Sequence, residues 1–130
     1  MSFFVDKIKK LECFYETGGV SIKEVEEAER LLELSFSEEY KEYLFCCGRA
    51  SFDGHEITGL GMFKRLNVVE ATNRERERHA YVPKNWYVIE DLGIDRIVIW
   101  QTSTGEIYQS IPELLPKKVC DSLLEYIKNK

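Results

Sequence analysis

The sequence predicts an α+β fold, in which a twisted, mainly antiparallel sheet packs against N-terminal helices and a closing C-terminal helix. Apolar residues recur at helical spacing from Ile22 to Leu32 and from Tyr40 to Cys47. Runs rich in strand-forming residues follow between Trp86 and Gln109, and one more helical stripe closes the chain. Helices, then a sheet, then a helix is the order typical of α+β domains, because α/β folds alternate the two kinds of element.

Length and charge limit the possible classes of function. With 130 residues, the chain is expected to form one domain over 1–130. The formal net charge of -5 argues against nucleic acid as a direct partner, since nucleic-acid binding needs a concentrated basic surface. The first apolar run is too short for a signal peptide, and no run reaches the roughly 20 residues of a membrane span. We therefore expect a cytoplasmic protein without membrane contact.

The N-terminal third predicts three helices. The first has an apolar stripe that ends near a glycine pair: Phe4, Ile8, Leu11, then Gly18-Gly19. The second begins at a capping box formed by Ser21 and Glu24. Its inward residues are Ile22, Val25, Ala28 and Leu32. Glu26 and Arg30 are spaced to pair across one turn of this helix.

The third helix has the most definite boundaries. Ser37 is a good N-cap, and Gly48 supplies the C-terminal stop. The inward stripe is Tyr40, Tyr43, Leu44 and Cys47. A loop then leads to a short strand around Glu56 to Leu60, and Asn67 caps a further helix.

The second half of the chain predicts the sheet. Strand-forming residues fill the segments Trp86 to Ile89, Ile97 to Trp100 and Ile107 to Gln109, and the last two are expected to form a hairpin. Pro112 is expected to end the sheet, and Pro116 to precede the final helix. The inward residues of that helix are predicted to be Val119, Cys120, Leu123, Leu124 and Ile127.

Few residues are arranged for catalysis. The cysteines are Cys13, Cys46, Cys47 and Cys120, and no pair has the C-x-x-C spacing of a zinc or redox site. They are predicted to be reduced, with Cys46 and Cys47 pointing into the core. His55 follows this pair closely, so a Cys-His site is conceivable, but no third orienting group is indicated. We expect no catalytic residues, no metal and no cofactor.

Two charged segments have alternative interpretations. The run from Arg74 to Arg78 resembles a basic patch, but its charges alternate in sign, which favours a solvated helix face. Glu90, Asp91 and Asp95 surround a strand connection. They either recruit a cation or a basic partner, or they shape a turn, as acidic residues commonly do in such connections.

Several segments together resemble one family. The segment Leu34 to Leu44 is similar to the helix entry of the SUKH superfamily, which includes the Smi/Knr cell-wall regulators. Cys47-Gly48 stands where that family has its asparagine-glycine-glycine stop. Val68 to Arg76, followed by Trp86 to Asp91, is similar to a branch in which a helix precedes a strand ending in a glutamate-aspartate pair. The resemblance covers the chain from about Ser21 onwards.

The resemblance implies an α+β binding domain without established catalytic residues. Bacterial members resemble immunity proteins, which neutralise toxins of the nuclease or deaminase type, and fungal members imply a signalling or cell-wall scaffold. The first expectation is therefore a bacterial toxin-neutralising protein with a basic toxin domain as its partner. A regulatory or small-ligand-binding domain is the alternative, and a cysteine-dependent enzyme is a third. The sequence names neither the toxin nor the oligomeric state.

A partner surface is predicted where acidic residues flank the strand connections. We expect an acidic rim around two exposed aromatic anchors, because charges steer association and aromatic side chains supply buried contact area. The predicted partner-binding residues are Phe52, Asp53, Glu56, Trp86, Glu90, Asp91 and Asp95. Reversing Glu90 and Asp91 to lysine is expected to slow association with the toxin, to weaken the salt dependence of association and to leave the fold intact.

Overall fold

A computed structural model of the chain describes residues 3–11, 14–61 and 65–128. The helices in this part of the chain are α1 (Phe3–Ile8), α2 (Ile22–Leu32), α3 (Glu38–Cys47), α4 (Val68–Arg78) and α5 (Leu123–Lys128). The strands are β1 (Tyr15–Glu16), β2 (Ala50–Phe52), β3 (His55–Glu56), β4 (Tyr87–Asp91), β5 (Val98–Gln101), β6 (Ile107–Ser110) and β7 (Lys117–Cys120).

The strands form two antiparallel sheets. The small sheet has the order β1-β2-β3, and the large sheet has the order β4-β5-β6-β7. Thr58 joins them, because its backbone N–H donates to Ile89 O at 2.9 Å and its hydroxyl donates to Val88 O at 2.7 Å. The predicted α+β class and the predicted hairpin, here β5-β6, are confirmed.

Local capping signals fix three helix starts as predicted. The Ser21 hydroxyl accepts from the N–H of Glu24, whose carboxylate accepts in return from the N–H of Ser21. Ser37 caps α3 by accepting from the N–H of Tyr40, and Asn67 caps α4 by accepting from the N–H groups of Val69 and Glu70. One detail differs from prediction: Arg30 pairs with Glu27 rather than with Glu26.

The buried stripe of α3 anchors the larger core. Tyr40, Tyr43, Leu44 and Cys47 are all 0% exposed, as predicted. The buried tyrosine hydroxyls are hydrogen-bonded: Tyr40 donates to Thr58 O at 3.1 Å, and Tyr43 accepts from the N–H of Ala50 at 2.8 Å. A buried hydroxyl without a partner costs free energy, so these contacts allow aromatic residues to fill the core.

The large sheet is covered on both faces. Because strand side chains alternate, Tyr87, Ile89 and Ile107 face the larger core, whereas Val88 and Trp100 face a smaller core under α4. The smaller core also holds Ala71, Val82 and Val98. This second core fixes α4 against the sheet.

The first helix and the first strands differ from the predictions. Helix α1 ends at Ile8 and is followed by β1, so the glycine pair comes after a strand rather than a helix. Strands β2 and β3 form a hairpin joined by Asp53 and Gly54, both at positive φ (47° and 82°). The predicted strand around Glu56 to Leu60 is therefore only partly correct.

The prediction that the sheet ends at Pro112 is wrong. Pro116 precedes a strand, β7, whose residues pair with β6. Helix α5 begins only at Leu123, because the carboxylate of Glu39 accepts from the N–H groups of Leu123 (2.7 Å) and Leu124 (3.0 Å). Val119, predicted to face inward, is 42% exposed. Cys120, Leu123 and Ile127 are buried as predicted, and Leu124 is half-buried.

Candidate functional site

The predicted aromatic anchors are not exposed. Phe52 is 1% exposed, and its ring centroid lies 6.3 Å from that of Phe4 and 5.6 Å from that of His55. The expectation that Phe52 is an exposed anchor is therefore wrong, because the alternation of β2 points its side chain into the core. Trp86 is half-buried and stacks on Tyr108 with a centroid distance of 4.2 Å.

Glu90 lies at the centre of a buried polar cluster. Its Oε1 accepts from the Tyr126 hydroxyl at 2.7 Å and lies 2.9 Å from His55 Nδ1, and its Oε2 accepts from the N–H of Glu56 at 3.0 Å. Burial and the neighbouring carboxylate raise the pKa of Tyr126, which keeps this hydroxyl a donor. Reversal of Glu90 to lysine would bury a cation here, so we no longer expect that variant to keep the fold.

The predicted aspartates form turns. Asp53 occupies the left-handed conformation in the β2-β3 hairpin, and Asp95 (φ 51°) does so beside Arg96 (φ 59°) in the β4-β5 connection. The side chain of Asp91 accepts from the N–H of Gly93 at 2.9 Å. The structural alternative for these acidic residues, that they shape turns, accounts for their geometry.

The exposed acids of the predicted rim are mixed with arginines. Glu56 forms an ion pair with Arg65 at 3.2 Å. Glu56 and Asp91 line one narrow cleft together with Arg65 and Arg74. The structure therefore brings two predicted residues together, but the surface that they share has both signs of charge.

A second buried polar network surrounds His79. Trp100 Nε1 donates to Ser110 Oγ at 2.7 Å, and Ser110 Oγ lies 2.7 Å from His79 Nδ1. Because the indole can only donate, the serine hydroxyl is free to donate to His79 Nδ1. His79 Nε2 then faces Glu75 Oε1 at 3.5 Å, and burial lowers the pKa of His79.

The charged run on α4 is thus only partly a solvated face. Glu75 is 2% exposed, and its carboxylate also contacts Arg74 at 3.1 Å and Arg78 at 3.6 Å. The expectation of a fully solvated run is wrong at this position, because Glu75 faces His79 on the buried side of the helix.

The two buried thiols of the described residues, Cys47 and Cys120, are poorly suited to nucleophilic catalysis. Burial raises the pKa of Cys47 to about 12, and it also raises the pKa of Cys120. A thiol is a nucleophile only as a thiolate, so both are inert near neutral pH. Cys46 is exposed, which corrects the prediction that it points into the core. Cys46, Cys47 and Cys120 are free thiols, whereas Cys13 lies outside the described residues.

Neither a metal cluster nor a membrane span was found in the described ranges. Among residues 3–11, 14–61 and 65–128, no three or more His, Cys, Asp or Glu side chains come together in a geometry that could hold a metal ion. Within the same ranges, every helix is too short or too polar to cross a bilayer.

A concave surface between α2 and α4 combines apolar and acidic side chains. We call it the helix groove. Its cavity volume is about 510 Å³. Its apolar lining is Ala28, Leu31, Leu60 and Val69, and its charged lining is Lys23, Glu24, Glu27 and Glu70. Leu31 is 53% exposed, so a large apolar side chain is available to a partner.

The lining of the helix groove is negative on balance, because it contains Glu24, Glu27 and Glu70 against Lys23, and α2 as a whole is acidic. Residues 22–33 contain five glutamates against one lysine and one arginine. Glu27 is paired with Arg30, but both side chains are largely exposed, and exposed pairs of this kind hold each other weakly. An apolar lining with a carboxylate rim fits a basic segment that carries an apolar side chain.

The sequence contained a signal for this surface that the helical stripe obscured. Leu31 and Leu32 are adjacent, and only Leu32 faces the core. Ile22, predicted to face inward, is 63% exposed. Ile22 lies about half a turn around the helix axis from Leu31 and outside the groove, so only Leu31 marks this surface in the sequence.

Comparison with known proteins gives one family. The family model SUKH_5, described as SMI1-KNR4 cell-wall, matches residues 1–130. No curated protein is similar enough to the chain to count as a relative.

Proposed function

Because the chain belongs to the SMI1-KNR4 cell-wall family, we propose that it is a non-catalytic protein-binding domain, and specifically an immunity protein that neutralises a bacterial toxin. In this proposal the chain acts in the cytoplasm and binds a basic toxin domain of the nuclease or deaminase type. Neutralisation by binding needs a complementary surface and no reactive group, which agrees with the inert buried thiols.

The helix groove is the observation that carries this proposal. Its exposed Leu31 offers apolar contact area, and Glu24, Glu27 and Glu70 surround it with negative charge. Toxins that act on nucleic acid need a basic surface, and an acidic inhibitor that covers this surface blocks substrate access. Opposite charges also accelerate association, and salt weakens this effect.

The exposed acids of the predicted rim remain a second predicted contact. Asp53, Glu56, Asp91 and Asp95 are exposed. Asp53 and Glu56 belong to the β2-β3 hairpin, whereas Asp91 ends β4 and Asp95 lies in the β4-β5 connection. Glu90 and Phe52 are removed from this set because both are buried.

A small-ligand-binding or regulatory domain is the second candidate. A cleft of about 520 Å³ has Arg78, His79, Asp91 and Arg96 among its lining residues. Opposite charges on its walls suit a ligand that is both cationic and anionic. This candidate predicts thermal stabilisation by a small molecule, whereas the immunity proposal requires none.

Co-expression tests the proposed function. A candidate toxin domain would be taken from a gene next to the one that encodes this chain, and a bacterial host would express this domain either alone or with the full chain. We expect growth to stop with the toxin alone and to recover with the chain. The control is a toxin from a different immunity pair, against which the chain should not protect. Growth arrest that persists despite folded, soluble chain would contradict the proposal.

A further inference from the structure

Strand β7 forms an open edge of the large sheet. It pairs with β6 on one side, and no strand in the described part of the chain pairs with its other side. Lys117, Lys118 and Val119 are exposed. An edge strand of this kind presents backbone N–H and C=O groups to which a further strand can bind.

The loop before β7 exposes two consecutive leucines. Leu114 is 59% and Leu115 is 73% exposed, and Pro112 and Pro116 flank them. The N–H of Leu114 donates to Ile111 O at 3.2 Å, which closes a turn with Pro112 and Glu113 at its centre. Glu113 has φ 72°, the left-handed conformation required at the second central position of a type II turn. The turn and the prolines therefore hold the leucines in place before any partner binds.

These leucines line a cleft beside the edge. We call it the leucine cleft. Its cavity volume is about 680 Å³, and its lining is Tyr81, Gln109, Ile111, Glu113, Leu114, Leu115 and Lys117. Tyr81 is 57% exposed, so the cleft concentrates large apolar side chains that are accessible to solvent. Accessible apolar surface next to an open strand edge is typical of a binding site rather than of a protected edge.

The charge of the edge indicates which occupant fits. Lys117 and Lys118 both lie on the edge strand itself, and Lys118 contacts Asp121 at 2.5 Å, although both of these side chains are exposed. Lys117 lies in the wall of the leucine cleft, whose other charged side chain, Glu113, belongs to the preceding loop. Antiparallel pairing of two β7 strands would bring the lysines of both copies close together, and like charges across a strand pair are destabilising. Carboxylates on the incoming strand would instead be attracted.

We propose that β7 binds an extended, acidic segment of a partner protein, which adds to the large sheet as a further strand and places an apolar side chain in the leucine cleft. Main-chain hydrogen bonds to β7 hold the segment, the cleft selects the apolar residue, and the lysines select the acidic residues. This inference goes beyond the proposed toxin neutralisation, because it concerns a different surface and a partner segment of opposite charge.

Selection of random peptides displayed on phage against the full chain tests this proposal without a toxin. Enriched peptides would be synthesised and titrated against the unmodified chain, Leu115→Asp, and the double variant Lys117→Glu with Lys118→Glu. Ile94→Asp is the matched control, since Ile94 is 62% exposed and lies outside the leucine cleft.

We expect acidic peptides in which apolar and polar residues alternate. Leu115→Asp and the double variant should each weaken binding by about tenfold or more, and the control should not. Peptide binding should slow amide hydrogen exchange over 117–120. Methylation of the backbone N–H groups along one edge of the peptide should abolish peptide binding.

Three outcomes would overturn the proposal. The first is that no peptide is enriched, and the second is that enriched peptides bind the Leu115→Asp variant as well as the unmodified chain. The third is that the chain alone sediments as a dimer that Leu115→Asp converts to a monomer, which would make a second copy the occupant.

Discussion

The hydroxyl of Tyr126 donates a hydrogen bond to the carboxylate of Glu90 at 2.7 Å, which joins the last helix to the large sheet. The same carboxylate contacts His55 and the backbone of the β2-β3 hairpin. One buried acidic side chain therefore connects three separate parts of the chain.

Removal of this hydroxyl should destabilise the protein. Tyr126→Phe keeps the ring and leaves Glu90 with one donor fewer, so we expect the free energy of unfolding to fall by about 1–3 kcal/mol. Glu90→Gln should destabilise as well, and the double variant should cost less than the two single changes together, because they remove the same contact. Urea unfolding measures all three variants. If the losses in the free energy of unfolding were additive, Tyr126 and Glu90 would not stabilise the protein through their mutual hydrogen bond.

Stability should depend on pH through His79. Burial lowers the pKa of His79 in the folded protein, so the unfolded chain binds this proton more readily. The contribution is present above the ordinary histidine pKa of about 6.5 and is lost as the pH falls towards the lower folded value. Unfolding measured between about pH 7.5 and about pH 5 should show a shallower pH dependence for His79→Gln than for the unmodified chain. An equal pH dependence of stability in the two proteins would contradict a lowered pKa of His79 in the folded state.

Leu44 and Phe45 provide a matched test of the core. Leu44 is 0% exposed, whereas its neighbour Phe45 is 39% exposed on the same helix. Leu44→Ala should lower the free energy of unfolding by about 2–5 kcal/mol, through lost apolar burial and the cavity that remains. Phe45→Ala should cost less than about 1 kcal/mol. Thermal and urea unfolding of both variants check the difference, and a reversed order would mean that α3 faces the other way.

Local signals predicted α3 and its caps, whereas long-range pairing was harder to foresee. Ser37 and Gly48 act within their own helix, so sequence patterns suffice to place the helix boundaries. Strand β7 depends on pairing with β6, and its charged residues give little strand signal. The β2-β3 hairpin was missed although Asp53-Gly54 is a strong two-residue turn signal.

The burial of Glu90 was missed for a related reason. An acidic residue near a strand end is expected from the sequence to be exposed. The buried position of Glu90, however, depends on a hydrogen bond from Tyr126, which lies 36 positions later. The helix groove likewise needs α2 beside α4. No pattern within either helix predicts that α2 and α4 lie side by side.

The adjacent thiols should respond differently to substitution. Cys47 is buried and Cys46 is exposed. Cys47→Ser places a hydroxyl in the core and should lower the free energy of unfolding by about 1–3 kcal/mol, whereas Cys46→Ser should stay within about 0.5 kcal/mol. Neither change should alter toxin neutralisation in the folded protein. Loss of neutralisation by folded Cys46→Ser would favour a role for this thiol in function.

The central claim is that the helix groove binds the toxin domain, and calorimetric titration of that domain against Leu31→Arg tests it most directly. Leu31 is 53% exposed, so arginine should leave the fold intact while it adds positive charge to the acidic groove. Ile94→Arg, at an exposed position outside the groove, is the matched control. We predict that Leu31→Arg weakens binding by about tenfold to a hundredfold and that Ile94→Arg leaves the affinity unchanged. Full affinity of the toxin domain for folded Leu31→Arg would contradict the claim.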